Sequence, residues 1–414
     1  MSSSETFVIV GASLAGAKAA EALRARGFDG RLVLIGAEPH LPYERPALSK
    51  GSLAASTDRE KVFVHPEGWY GEHDVELRLG QEVTRLDRAG HRVELADGSV
   101  LDYHKLLLAT GASPRTLDVP GATADGVHYL RTIDDSEALR ELLGGLGRLV
   151  VIGAGWIGLE VAAAARQAGV EVSVVETADL PLLRVLGPEV AQVFADVHRE
   201  HGVRFHFGAT LAEILTEAGR VSGVQLGDGT VIESDAVLVA VGAAPNSDLA
   251  EAAGLAVDNG ILVDAALRTS DPDVFAAGDV ANALHPLLGK RIRVEHWANA
   301  LNQPATVAAG MRGEQAEYEN LPYFYTDQYD LGMEYVGYVE PAGYDRVVFR
   351  GDLAGREFIA FWLSDNRLLA GMNVNVWDVT DPIKALVRSG AQLDPEQLAD
   401  PGRDLAELAA EVTG

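Results

Sequence analysis

The stretch Phe7-Val8-Ile9-Val10-Gly11-Ala12-Ser13-Leu14-Ala15-Gly16 reads as an apolar strand entering a glycine turn, and the Ala-rich run behind it reads as a helix. Arg31-Leu32-Val33-Leu34-Ile35-Gly36-Ala37-Glu38 then reads as a second strand with an acid just beyond its end. This is the βαβ pattern whose first turn seats a dinucleotide pyrophosphate at a helix N-terminus, and whose terminal acid accepts from ribose hydroxyls. The pattern returns at Leu149-Val150-Val151-Ile152-Gly153-Ala154-Gly155-Trp156-Ile157-Gly158 and closes on Val172-Ser173-Val174-Val175-Glu176. Two such units in one chain predict two bound dinucleotides.

The two copies differ. In the first, Gly11 allows the tight turn and Gly16 lets helix and strand pack closely, but Ser13 stands where the fingerprint has its second glycine. In the second the pattern is complete, with Gly153, Gly155 and Gly158, and Trp156 and Ile157 lie inside the turn. Glu176 is placed to bind an adenosine ribose and to repel a 2′-phosphate, which favours NADH over NADPH. Arg184 is a nearby cation that could accommodate that phosphate. Glu160 sits in the first turns of the second helix, where an acid is favourable for the helix dipole alone and is also placed to face whatever lies across a nicotinamide.

Outward from these units, Leu41-Pro42-Tyr43-Glu44-Arg45-Pro46-Ala47-Leu48-Ser49-Lys50 is a proline-fixed loop leading into a helix. Arg45 and Lys50 within it are available to an anionic or electron-rich ligand. Short strands and one helix are expected from Val62 to Val100, with a hairpin at Ala96-Asp97-Gly98-Ser99. Tyr103 to Ala112 reads as a buried strand ending in Ala109-Thr110-Gly111, small residues past which a dinucleotide could lie close. Its counterpart ends at Val241-Gly242. Phe275-Ala276-Ala277-Gly278-Asp279 is a strand ending in a carboxylate, either a helix cap or a ligand for polyol hydroxyls. Turn signals divide the chain into 1–114 with 245–320, then 115–244, then 321–414. The last segment carries strand-like runs at Met333–Val339, Arg346–Arg350, Glu357–Leu363 and Leu368–Val374, with helices from Pro382 and Arg403.

Composition narrows the chemistry. The 414 residues carry a net charge of −27 and no cysteine. The charge disfavours nucleic acid and anionic membranes, although a local basic patch could still dock an acidic protein. Without cysteine there is no redox disulfide, catalytic thiol, cysteine-ligated cluster or zinc–thiolate site. No apolar run is long enough to span a bilayer, and the N-terminus lacks the pattern of a signal peptide, so a cytoplasmic location is expected. His198, His201 and His206 are close in sequence without a carboxylate pattern for a metal, and none is expected.

Taken together, Gly11 to Gly16, Pro42 to Lys50, Ala109-Thr110-Gly111, Gly153 to Glu160, Thr269-Ser270-Asp271-Pro272 and Gly278-Asp279 resemble the FAD-dependent pyridine-nucleotide oxidoreductases. More narrowly, they resemble the NADH-dependent ferredoxin reductases of oxygenase systems. The resemblance covers nearly the whole chain. It implies an α/β fold with two Rossmann-like, glutathione-reductase-like domains and a C-terminal α+β domain with an antiparallel sheet.

It also implies residue roles. Lys50 and Glu160 would form a charge pair beside the flavin N5 edge. Gly11, Ser13, Leu14, Ala15, Gly16, Glu38, Arg45, Val83, Ala109, Thr110, Gly111, Arg131, Gly278 and Asp279 would hold FAD, and Glu295-His296-Trp297 would line its ring. NADH would take Gly153, Gly155, Trp156, Ile157, Gly158, Glu160, Glu176, Arg184, Val241 and Gly242. The acceptor would be an iron–sulfur ferredoxin feeding an oxygenase, with Lys290, Arg291, Arg293 and Tyr325 as the docking candidates, and the protein a monomer or homodimer. Where the family often has Trp-Phe-Trp-Ser-Asp-Gln-Tyr, this chain has Tyr323-Phe324-Tyr325-Thr326-Asp327-Gln328-Tyr329. Two other readings stay open: another acceptor (rubredoxin, a quinone or monodehydroascorbate), or an apoptosis-inducing-factor-like flavoprotein that dimerises on binding NADH.

Overall fold

The strands that decide the fold do not alternate. Phe7–Val10, Leu32–Ile35 and Leu106–Leu108 are buried along their whole length, the pattern of a parallel sheet covered on both faces. The structure is a computed structural model that describes residues 5–50, 53 and 58–413. The polar start Met1–Ser4 lies outside them. By internal packing the chain forms two units, one of Met1–Arg45, Asp58–Ser113 and Ala243–Pro322, the other of Pro46–Thr57, Pro114–Gly242 and Tyr323–Gly414.

Unit 1 is built on a five-stranded parallel sheet in the order Val274–Ala276, Lys105–Leu108, Thr6–Val10, Arg31–Ile35, Val75–Arg78. Val8 lies opposite Val33 on one side and Leu106 on the other. Helix Leu14–Ala25 buries Ala17, Ala19, Ala20 and Leu23, and its small residues permit close approach. A Cβ on Gly16 would lie 2.0 Å from the Gly11 carbonyl oxygen and 3.0 Å from Leu34. A three-stranded antiparallel sheet holds Val83–Asp87, Arg92–Leu95 and Val100–Asp102, with its hairpin at Ala96–Ser99 and helix Glu67–Glu72 ahead of it.

Unit 2 contains two five-stranded sheets. The parallel one runs Arg204–His206, Glu171–Val175, Arg148–Ile152, Ala236–Val239, Val127–His128. The antiparallel one runs Tyr323–Gln328, Leu331–Gly337, Arg367–Val374, Glu357–Ser364, Arg346–Asp352. Helices Thr380–Ser389 and Leu405–Thr413 begin near Pro382 and Arg403, and a short helix Pro395–Ala399 between them carried no sequence signal that we read. Trp362, fully buried, donates its indole N–H to the Leu186 carbonyl at 3.0 Å, tying the antiparallel sheet to helix Leu183–Glu200.

The strand Tyr323–Gln328 is not among those expected from sequence. Its inward residues are Phe324, Thr326 and Gln328, the last two each about 1% exposed. The two-residue period is present, but two of its three inward positions are polar, so apolar alternation does not reveal it.

Candidate functional site

In unit 1 the glycine turn closes against the strand end at Ala109. Gly11 has φ +118°, and a Cβ there would sit 2.1 Å from the Ala109 carbonyl oxygen. Only glycine fits both the conformation and the space. Gly278, at φ +78°, faces Ala15 closely enough that a Cβ would lie 3.3 Å from the alanine methyl, and its N–H donates to Gln303 Oε1 at 2.7 Å. The fold therefore brings Gly11, Ala15, Ala109 and Gly278 together. Thr110 is held reciprocally by Asn246: its hydroxyl donates to the Asn246 carbonyl at 2.7 Å, and the Asn246 amide donates to the Thr110 carbonyl at 2.8 Å.

Glu38, just past the second strand, accepts from the Tyr43 hydroxyl and from Arg45 Nη2 at 2.8 Å. Burial alone would lower the Arg45 guanidinium pKa, but Tyr43, Glu38 and Asp279 around it raise it above its usual value. Gly80 and Gln81 hydrogen-bond back to Glu38 and Gly36, and the buried Gln81 Oε1 has no protein donor. Val83 follows as the buried start of its strand. A closed glycine turn, a carboxylate at the next strand end and an unmatched buried acceptor beside it fit the adenosine and pyrophosphate portions of a dinucleotide.

Glu295-His296-Trp297 opens helix Trp297–Met311. The Trp297 indole donates to Glu44 Oε2 at 2.9 Å, so two segments 253 residues apart fix one ring. Burial pushes the His296 imidazole down to about 4 against the pull of Asp279, which keeps it neutral near pH 7. Arg293 does not form part of a basic surface. Its side chain is 9% exposed, donating to Glu295 at 2.5 Å and to the Asp279 carbonyl at 3.2 Å. Arg291 is exposed, although its guanidinium caps the Val263 and Asn282 carbonyls.

In unit 2 the second turn repeats the first. Gly153 has φ +100°, and a Cβ there would lie 2.4 Å from the Ala240 carbonyl oxygen. Gly155, the N-cap of helix Trp156–Gln167, faces open space. Glu176 accepts from the Ala154 N–H at 2.8 Å and the Ala178 N–H at 2.9 Å, so its carboxylate is fixed at the mouth of the turn. Ile157 and Val241 are exposed at 43% and 38%. The Gly242 carbonyl accepts from the Arg115 N–H. Trp156 contributes backbone to the turn, while its ring packs inward against Phe194 and Phe324 at 5.6 and 4.9 Å. Arg184 lines a cleft with Pro188, Glu340 and Tyr344. Arg131 donates its N–H to Asp135, within the capping box that starts helix Ile133–Leu143.

Glu160 is the centre of unit 2. Its carboxylate is 4% exposed and receives Lys50 Nζ at 2.5 Å, Thr326 Oγ1 at 2.6 Å and the Ser49 hydroxyl. Lys50 is 16% exposed and its ammonium lies 5.4 Å from the centre of the Tyr325 ring. The short helix Pro46–Ser49 that presents Ser49 and Lys50 is pinned by Ser136, whose hydroxyl donates to the Leu48 carbonyl. Asp327 faces outward. Partial desolvation, added to by Glu160 and opposed by Lys50, moves its carboxyl above the usual range. Sequence reasoning missed Ser49, Thr326, Gln328 and His198 around Glu160, and Glu44, Asn246 and Gln303 in unit 1. Of these, Glu44 and Ser49 lie inside the Leu41–Lys50 stretch and Thr326 and Gln328 inside Tyr323–Tyr329, where no role is read for them. Among the described residues no group of side chains is arranged to hold a metal ion, and no helix is long and apolar enough to cross a membrane.

This geometry gives the chain two glycine turns of the dinucleotide-binding type, and its family makes it an oxidoreductase. The chain belongs to the pyridine nucleotide-disulphide oxidoreductase family, which it matches over residues 5–304, and residues 323–409 match the reductase C-terminal domain. It is 45% identical to the anthranilate 1,2-dioxygenase system ferredoxin–NAD(+) reductase component of Burkholderia cepacia, over 96% of this chain and 98% of that one. Among solved structures it resembles the ferredoxin reductase for the CYP199A2 system of Rhodopseudomonas palustris, with a TM-score of 0.94, 41% identity and coverage of 98% and 100%. It also resembles the covalent putidaredoxin reductase–putidaredoxin complex, with a TM-score of 0.95, 37% identity and 99% coverage of both. The disulphide of the family's description has no counterpart here, since the chain has no cysteine.

Proposed function

We propose that this protein is an NADH-dependent, FAD-containing ferredoxin reductase that delivers electrons to an oxygenase system. The observation that carries the reading is the buried Lys50–Glu160 pair in a chain without thiols, together with full-length identity of 37–45% to reductases named for that task. In this reading Gly11, Ala15, Glu38, Arg45, Thr110, Gly278 and Asp279 hold FAD, and Trp297, fixed by Glu44, lines its ring. Gly153 to Gly158 hold NADH, and the fixed charge of Glu176 excludes a 2′-phosphate. FAD, when bound, supplies an acceptor that takes two electrons from NADH and releases them one at a time. Lys50 and Glu160 provide a preorganised charge pair with little net charge. The balance is NADH plus two oxidised ferredoxins giving NAD⁺, two reduced ferredoxins and one proton.

The test is anaerobic stopped flow: reduction with one equivalent of NADH, then mixing with iron–sulfur ferredoxins. Two ferredoxins reduced per NADH are expected. Transfer to quinones or rubredoxin with none to ferredoxin would reject the reading. For docking, the exposed Arg291 is retained and Arg293 is not. Arg291→Gln is expected to raise KM for ferredoxin about threefold, as for a charge at an interface rim, and to leave ferricyanide reduction unchanged. Equal effects on both acceptors would remove Arg291 from the docking surface.

A further inference from the structure

A line of buried polar side chains leads away from Glu160 inside unit 2. The Thr326 hydroxyl is 2.6 Å from Glu160 Oε1, Gln328 Nε2 is 3.2 Å from Thr326 Oγ1, and His198 Nε2 is 2.8 Å from Gln328 Oε1. Thr326, Gln328 and His198 are all 0–1% exposed. The Tyr329 hydroxyl lies 3.5 Å from His198 Nδ1 at the far end. Buried polar groups in a core are retained only where each is matched, and these residues join two strand positions to helix Leu183–Glu200 through matched contacts alone.

The direction of the line follows from its first member. An ionised carboxylate accepts only, so the Thr326 hydroxyl must donate to it. The Thr326 oxygen is then the acceptor for the Gln328 amide N–H, which turns the Gln328 carbonyl toward His198. A carbonyl also accepts only, so His198 must carry its proton on Nε2. Burial pushes this imidazole down to about 4, opposed by its bond to Gln328 and reinforced by His201, so the ring is neutral near pH 7 and the tautomer is the remaining variable. Every N–H and O–H in the line therefore points toward Glu160, and bonds aligned in this way polarise one another.

We propose that Thr326, Gln328 and His198 are positioning residues for the Lys50–Glu160 pair, a one-way hydrogen-bond chain that fixes the Glu160 carboxylate with its charge turned toward Lys50. The chain accounts for the polar inward face of strand Tyr323–Gln328, which packing alone would fill with apolar side chains. Its consequence for reduction by NADH rests on the function proposed above, whereas the chain itself does not.

Two readouts separate these. In ¹⁵N-histidine NMR of the flavin-loaded protein, with His198 assigned by loss of its signals in His198→Gln, His198 is expected as the Nε2–H tautomer. Its ring shifts are expected to move in Glu160→Gln, whose amide can reverse the chain, and to stay in place in Gln192→Ala on the exposed face of the same helix. An Nδ1–H tautomer, or ring shifts indifferent to Glu160→Gln, would overturn the proposal without any turnover being measured. In stopped flow, His198→Leu is expected to slow reduction of the bound flavin by NADH about tenfold, the upper end for loss of one neutral hydrogen bond, with half-saturation by NADH unchanged. His198→Gln, which returns a donor near the Nε2 position, is expected to recover to within about threefold of wild type. Equal rates in the two variants would overturn the positioning role. If His198→Leu does not fold, Thr326→Val against Thr326→Ser is read in the same way, since serine keeps the hydroxyl that donates to Glu160 and accepts from Gln328.

Discussion

Lys50→Met is expected to destabilise unit 2 by about 3–5 kcal/mol, because it leaves the Glu160 carboxylate buried without its counter-charge. It is also expected to slow reduction of the bound flavin by NADH about 10²–10³-fold, the cost of removing one preorganised electrostatic partner. A single variant cannot separate these effects, so the informative comparison is Lys50→Met with Lys50→Met/Glu160→Leu. Replacing a buried ion pair by apolar side chains of similar size is often close to neutral. Denaturant melts should therefore show most of the stability regained in the double variant, less what the Ser49 and Thr326 hydroxyls lose with their acceptor. Stopped flow should show the rate still low. A double variant that regains rate together with stability would reduce the pair to a structural element, and a Lys50→Met protein reduced at the wild-type rate would remove Lys50 from the reaction.

The pair's cost is high, and the surrounding structure shows how it is offset. Desolvating a carboxylate and an ammonium costs several kcal/mol each even in a relaxed interior. Glu160 recovers part of this through three side-chain donors, and one of them extends into the His198 chain. Apolar side chains of similar size often give a core as much stability as such a pair. The pair is therefore better explained by chemistry than by packing, and the fold alone hosts many activities.

What the sequence revealed follows the same division. Glycine turns and all-apolar strands have short-range causes, so the turns at Gly11 and Gly153 and the strand ends before Glu38 and Glu176 were legible as local structure. Lys50 and Glu160, 110 residues apart, became a pair only through the family resemblance, and the structure sets them at 2.5 Å. Thr326, Gln328 and His198 stayed hidden for a physical reason: a buried polar residue looks like a surface one in sequence, and strand Tyr323–Gln328 disguises its period by using two of them. Arg293 failed the other way. A charge run reads as a surface patch, yet this guanidinium is folded onto Glu295 and the Asp279 carbonyl. Trp156 keeps its backbone at the turn, while its ring enters an aromatic row with Phe194 and Phe324 that carries no signal in the sequence.

The same lesion in the two glycine turns is expected to produce two different proteins. Gly11→Ala would force a Cβ to within 2.1 Å of the Ala109 oxygen at φ +118°, and Gly153→Ala to within 2.4 Å of the Ala240 oxygen at φ +100°. Neither backbone carbonyl can move without shifting its strand end, and alanine is strained at both angles, so each turn must open at a cost of about 2–4 kcal/mol. If unit 1 holds FAD, Gly11→Ala should purify with its flavin content reduced roughly tenfold or more at sub-saturating FAD, since each 1.4 kcal/mol is tenfold in affinity. Gly153→Ala should retain flavin and remain reducible by dithionite, but need about tenfold or more NADH for half-maximal reduction. Absorbance of the purified proteins and an NADH titration read both. A Gly11→Ala protein that keeps its flavin while Gly153→Ala loses it would reverse the assignment of the two dinucleotides, because the clashes are local and each falls within a single unit.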